Sequence, residues 1–124
     1  MQVFKILPID EWERAKEGGV YRGSADDKRD GFIHLSTSAQ LAGTLTRHFA
    51  DATGLMLVAL ESDDLGDKLK WEENSDGDSF PHLYHALEFS WVRWTSAIPN
   101  KAPGVFALPP QAFITSPAAP GRSS

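Results

Sequence analysis

The octet Asp30-Gly31-Phe32-Ile33-His34-Leu35-Ser36-Thr37 sets a histidine and two hydroxyls where a strand runs into a helix. The first N–H groups of a helix have no partner inside it and favour anions. An imidazole beside them can give a proton or a hydrogen bond to a phosphate or a ribose. His34, Ser36 and Thr37 are therefore candidate ligand contacts, and His34 is also a candidate catalytic group. The competing reading is structural: Thr37 only caps the helix, and His34 is a half-buried, hydrogen-bonded residue.

A second constellation is Leu69-Lys70-Trp71-Glu72 with Phe80-Pro81-His82-Leu83-Tyr84. Glu72 and His82 flank a turn and are expected to approach each other. A carboxylate beside a histidine can orient it, shift its pKa, or act as acid or base. The alternative makes Glu72 a solvated member of an acidic run and His82 a structural residue. Trp71, Tyr84 and Tyr21 are candidates for stacking on a ligand ring. His82 and His85 form H-x-x-H, but no third ligand stands at a useful spacing, so no metal site is expected. His48 falls on the apolar stripe of its helix and reads as a core or capping residue. Lys5 reads as an edge residue with its ammonium in water; the alternative is an inward cation.

The common catalytic signatures are absent. The chain has no GKS or GKT, no G-x-G-x-x-G, no H-E-x-x-H and no G-x-S-x-G. Nucleotide hydrolases with a phosphate loop, zinc proteases and serine esterases lose their motif support. There is no cysteine, which removes disulfides, thiolate metal sites and a thiol nucleophile.

The elements that must position these residues follow from periodicity. Val3 to Leu7 reads as a strand, with Phe4 and Ile6 on one face and Val3, Lys5 and Leu7 on the other. Asp10 and Glu13 suggest the box that starts a short helix, with Trp12 and Ala15 inward and Gly18-Gly19 as the stop. Residues 21–31 are polar and read as a loop. Gly31 to Leu35 is the next strand. Thr37-x-x-Gln40 is a capping box for a helix to about Ala50, with Leu41, Leu45, His48 and Phe49 on one stripe. Leu55 to Leu60, LMLVAL, is apolar on both faces and fits a central buried strand. Asp63 to Gly66 is a turn, Lys68 to Glu72 a strand and Asn74 to Ser79 a hairpin turn around Asp76-Gly77. Pro81 to Tyr84 is extended, and Phe89 to Ile98 is the last strand. The order does not read as regular βαβ winding, so the expected class is α+β.

At 124 residues the chain suffices for one domain. The expected globular part is 1–108. Residues 109–124 are expected to be a Pro-rich arm and disordered tail, with Phe106, Leu108, Phe113 and Ile114 available to pack. The net charge of −5 is uneven. Residues 61–78 hold eight acids against Lys68 and Lys70, leaving the rest of the chain at +1. No basic patch is present, so nucleic-acid binding is not expected. No apolar run approaches the ~20 residues that span a bilayer, and the first residues lack a signal-peptide pattern. No membrane association and a cytoplasmic location are expected.

The runs YRGSADDKRDGFIHLST, HFAD, LGDKLKWE and FPHLY together resemble a small bacterial family known as domain of unknown function 952, over Val3 to about Val105. One departure is His85-Ala86-Leu87, where the family has Gly-Pro-Leu. The resemblance implies a fold similar to ADP-ribosyltransferases and RNA 2′-phosphotransferases: a split β-sheet core with two or three peripheral helices and a cleft for NAD or ADP-ribose. A strand histidine, a second-strand tyrosine and a late glutamate are typical there. Phe4-Lys5-Ile6 would lie on the first strand without its histidine, His34 where the tyrosine is expected, and Glu72 is the candidate acid.

Three functional expectations follow. The first is an enzyme or binder acting on NAD or an ADP-ribosyl or phosphoribosyl group, using His34, Glu72 and His82 as catalytic candidates. Tyr21, Ser36, Thr37, Trp71 and Tyr84 would contact the ligand. The second is a non-catalytic module for a nucleotide or small anion. The third is a protein-interaction module using the acidic segment 61–78.

Overall fold

The computed structural model describes residues 1–114. The run LMLVAL lies, as its two apolar faces demand, in the middle of the main sheet. In chain order the strands are β1 (Gln2–Pro8), β2 (Val20–Tyr21), β3 (Ile33–His34), β4 (Leu55–Glu61), β5 (Leu69–Glu73), β6 (Ser79–Leu83), β7 (Leu87–Glu88), β8 (Val92–Ile98), β9 (Asn100–Ala102) and β10 (Val105–Phe106). The α-helices are α1 (Ile9–Lys16), α2 (Ala25–Asp30), α3 (Leu41–His48) and the single turn α4 (Ser62–Leu65). Short 3-10 turns occupy Ser38–Gln40, Gly66–Lys68, Phe89–Trp91 and Pro110–Phe113. The class is mixed α+β, and among the described residues every strand pairing is antiparallel.

Two three-stranded sheets carry the architecture, ordered β1-β4-β8 and β3-β6-β5, with the small pairs β2-β7 and β9-β10 beside them. The two larger sheets are tied together just after β3. Phe4 and Ser36 exchange backbone hydrogen bonds of 2.8 Å, and the Leu35 N–H donates to the Pro81 carbonyl at 3.1 Å. The main sheet buries both faces. Val3, Leu7, Val58 and Leu60 pack with Trp12, Tyr21, Ile33 and Leu83 on one side. Phe4, Ile6, Leu57 and Ala59 pack with Leu41, Leu45 and Ala112 on the other.

Several local expectations are corrected. Residues 21–31 are not all loop: Ala25–Asp30 is helical. The Asp27 N–H donates to Ser24 Oγ (3.1 Å), while the Ser24 N–H donates to Asp27 Oδ2 (2.9 Å). Gly31, at φ 87°, takes the left-handed conformation that ends α2. At α1 the cap position is Pro8, and Asp10 accepts from the N–H of its neighbour Glu11 and pairs with Arg14 at 3.5 Å. Glu13 pairs with Lys16 instead of reaching back to a cap. His48 is exposed and not on the buried stripe of α3. Phe89–Trp91 is a 3-10 turn, so the last long strand starts at Val92.

The arm that follows residue 108 packs onto the fold. Ala112 is fully buried, its carbonyl accepts from Ser38 Oγ, and Gln2 Nε2 donates to the carbonyls of Gln111 and Ile114. Phe113 and Ile114 stay exposed. The expected disordered tail beyond Ile114 lies outside the described residues. Among the described residues no helix is long and apolar enough to cross a membrane.

Candidate functional site

Strand alternation gathers most of the candidate chemistry on one face of the β3-β6-β5 sheet. His34 pairs with His82, and His82 with Lys70, across the three strands. Phe80, Tyr84 and Glu72 stand two residues along from these positions, and Phe32 two residues before His34. The Phe32 ring stacks on His82 with centroids 3.9 Å apart, and lies 4.6 Å from His34 and 5.3 Å from Tyr84. The two imidazole centroids are 5.6 Å apart.

Each histidine is oriented by a carboxylate. His82 Nδ1 lies 2.8 Å from Glu72 Oε1, and the Tyr84 hydroxyl donates to the same oxygen at 2.7 Å. Those bonds from His82 and Tyr84 hold the Glu72 carboxyl below its ordinary range. The bond to Glu72 pushes the Tyr84 phenol up.

His34 Nδ1 lies 2.6 Å from Asp27 Oδ1, and its Nε2 lies 3.1 Å from Asp30 Oδ2. Asp27 is the hub of the site. Its Oδ1 also accepts from the His34 N–H (3.1 Å), and its Oδ2 accepts from Lys5 Nζ (2.8 Å) and the Ser24 N–H (2.9 Å). Its side chain is only 2% exposed. Burial pushes the Asp27 carboxyl up. The bonds and charge supplied by His34, Lys5 and Ser24 outweigh that and hold it well below the usual carboxylate range.

Between α2, α3 and this sheet face opens a cavity of about 450 Å³. His34, His82, Phe32, Asp27 and Lys5 line its floor and one wall; Ser36, Thr44, Arg47 and His48 line the other. A cavity of this size falls in the range of small-molecule sites, roughly 300–1,000 Å³. With Nδ1 of both imidazoles held by carboxylates, proton transfer falls to Nε2, which on His34 also faces Asp30 Oδ2.

The structure brings His34, His82 and Ser36 to this cavity, with Glu72 behind His82. Ser36 Oγ shares a hydrogen with Thr44 Oγ1 at 2.9 Å. Thr37 stays outside, held by Gln40 Oε1, which accepts its N–H at 3.0 Å. Tyr21 is a core residue, 3% exposed and packed 6.3 Å from Trp12, so it forms no ligand wall. Trp71 points to the opposite face of β5 from Glu72 and is largely exposed. Tyr84 is also exposed and acts on Glu72 beside the cavity. His85 bonds the Ala86 carbonyl, and no group of three or more metal-ligating side chains occurs among the described residues.

Three cavity groups were not among the site candidates read from the sequence, although an inward Lys5 stood as the alternative there. Lys5 is an inward cation, 7% exposed, because Asp27 awaits it. Asp27 itself carried a signal in Ser24-Ala25-Asp26-Asp27, the same S-x-x-acid pattern that marks helix starts elsewhere. Arg47 carried none that separates it from a solvated helix-end cation.

The relatives are consistent with this architecture. A family model described as "Protein of unknown function (DUF952)" matches residues 6–95. The crystal structure of protein CC0527 from Caulobacter crescentus is 39% identical, with a TM-score of 0.86, covering 92% of this chain and all of that one. A solution NMR structure of CC0527 gives 42% identity and a TM-score of 0.76, over 84% of this chain and 90% of the other. No curated protein matches. The chain belongs to the family of proteins of unknown function described as DUF952.

Proposed function

We propose that the cavity binds NAD or a related ADP-ribosyl or phosphoribosyl group, and that His34 and His82 move protons on it. One observation carries the reading: two imidazoles, each oriented by its own carboxylate, face a single ligand-sized cavity. An acid and a base on one substrate need two separately held proton carriers. On this reading Glu72 is a positioning residue that acts through His82, since it does not line the cavity. The two small antiparallel sheets flanking a cleft support the further proposal that the fold is ADP-ribosylation-like.

A non-catalytic binding module is the second reading, favoured by Asp30, whose carboxylate stands against His34 Nε2. The acidic-segment interaction reading has weaker support. Three of its eight acids are engaged internally: Glu61 pairs with the N-terminal amine, Asp64 with Arg93, and Glu72 with His82.

The test is isothermal calorimetry with NAD and with ADP-ribose, followed by chromatography for released nicotinamide. Binding with release establishes the enzyme, and binding without release establishes the module. Absence of heat with both ligands overturns the proposal. Unchanged affinity and release in His34→Ala removes that residue's role.

A further inference from the structure

The two walls of the cavity carry opposite chemistry. On the α2 wall stand Asp26, Asp27 and Asp30. On the α3 wall stand Thr44, Arg47 and His48, which share one helix face by their spacing. No acidic residue occurs anywhere in α3.

Hydrogen-bond supply sharpens the contrast. Lys5 Nζ commits two of its three hydrogens, to Asp27 Oδ2 at 2.8 Å and to the His34 carbonyl at 3.3 Å. Ser36 and Thr44 use one hydroxyl hydrogen between them, leaving the other. Arg47 makes no ion pair among the described residues, and its guanidinium lies 5.8 Å from the centre of the Phe80 ring. The acceptors opposite are already engaged: Asp27 by Lys5, His34 and Ser24, and Asp26 and Asp30 by Arg29. Asp76 lines the cavity without such a partner and is exposed on the β5–β6 turn. Lys5 with one hydrogen to spare, the Ser36–Thr44 hydroxyl pair with another, and the Arg47 guanidinium with no ion pair among the described residues thus make one end of the cavity rich in unmatched donors.

We infer that this end is a phosphate subsite. The ligand enters with a phosphoryl group against Lys5, Thr44 and Arg47, and with its hydroxyl-bearing part toward His34, Asp30 and His82. The occupant is a phosphorylated sugar or nucleotide. Three donors of different kinds, from β1 and α3, match the three oxygens of a phosphate monoester better than the two of a carboxylate. The inference deepens the proposed function and rests on it for the hydroxyl end alone.

The test is an amide NMR titration of the whole chain with inorganic phosphate, ribose 5-phosphate and ribose at fixed ionic strength. Phosphate and ribose 5-phosphate are expected to shift the Thr44, Arg47 and His48 amides saturably. Ribose 5-phosphate binds more tightly than either fragment. Arg47→Ala, an exposed position that leaves the fold intact, weakens both phosphate ligands by roughly tenfold or more, the usual worth of a bond to a charged group. Thr44→Val weakens them less. Unmoved α3 amides, or equal affinity in Arg47→Ala, overturn the subsite. If ADP-ribose binds with no loss in Arg47→Ala, the subsite falls and the proposed function stands. If ribose 5-phosphate binds and NAD and ADP-ribose do not, the subsite stands and the nucleotide reading falls.

Discussion

Asp27→Asn is the perturbation that tests the centre of the site. The amide keeps the shape of the side chain and removes its charge. Lys5 then holds a buried ammonium without a counter-charge, and the introduced amide must place an NH₂ where Lys5, Ser24 or His34 presents a hydrogen. Removing one partner of a buried pair costs about 3–5 kcal/mol, because the other charge is stranded. Asp27 accepts four bonds at 2.6–3.1 Å, so the upper half of that range is expected. For a chain of this size 1 kcal/mol moves Tm by roughly 3–6 °C, so the midpoint falls by at least about 10 °C. Urea unfolding measures the free energy directly. Lys5→Met in the same background restores part of the loss, because the stranded charge is gone. A pH arm is independent of the mutation. The folded Asp27 carboxyl lies below its unfolded value, so its contribution is complete above the ordinary carboxylate pKa. It is lost as pH falls below about 4 toward the folded value. Asp27→Asn flattens that acid limb. A loss below about 1 kcal/mol with an unchanged acid limb refutes a charged, load-sharing carboxylate.

Glu72→Gln removes the charge that raises the Tyr84 phenol, so spectrophotometric titration is expected to show one tyrosine ionising nearer pH 10. An unchanged curve refutes the Glu72–Tyr84 contact. Tyr21→Phe deletes a buried hydroxyl with no partner among the described residues and is expected to raise stability by roughly 1 kcal/mol in urea unfolding. A loss of that size instead means the hydroxyl is bonded. Ser24→Ala takes one half of the α2 capping box and is expected to cost about 1 kcal/mol, read by the same assay. A cost near zero removes the cap from the forces that hold Asp27.

Where sequence pattern and burial agree, the fold was legible. LMLVAL has no polar face, so a central place fitted it best, and alternation separated Phe4/Ile6 from Val3/Leu7, which enter different cores. The Glu72–His82 pairing followed from the hairpin between them. Other features depended on contacts that no local window contains. A lysine on a strand ordinarily keeps its ammonium in water, and only the distant Asp27 makes Lys5 turn inward. Charge density in YRGSADDKRDG concealed a six-residue helix whose stability comes from its caps instead of an apolar stripe. Trp71 was within reach of the same alternation argument: it shares a face with Leu69, which already set it opposite Glu72. Thr37 was a cap, and at Tyr21 the choice between core and ligand wall rested on burial alone.

The pairing of β4 has a consequence for how the chain acquires its shape. Gln2 pairs with Glu61, and Leu55 with Ile98, so the main sheet joins residues far apart along the polypeptide. Contacts of that kind cost loop-closure entropy before they stabilise anything, and such topologies fold more slowly than helical bundles of equal size. During synthesis β1, apolar on both faces, has no sheet partner until β4 emerges from the ribosome. The second core stays unsealed until Ala112 follows. Over that interval the nascent chain shows the surfaces that recruit chaperones or other chains. Lys5 sits in β1 and meets Asp27 and His34 only when the two sheets are joined, so the cavity they line is among the last features the newly made protein gains.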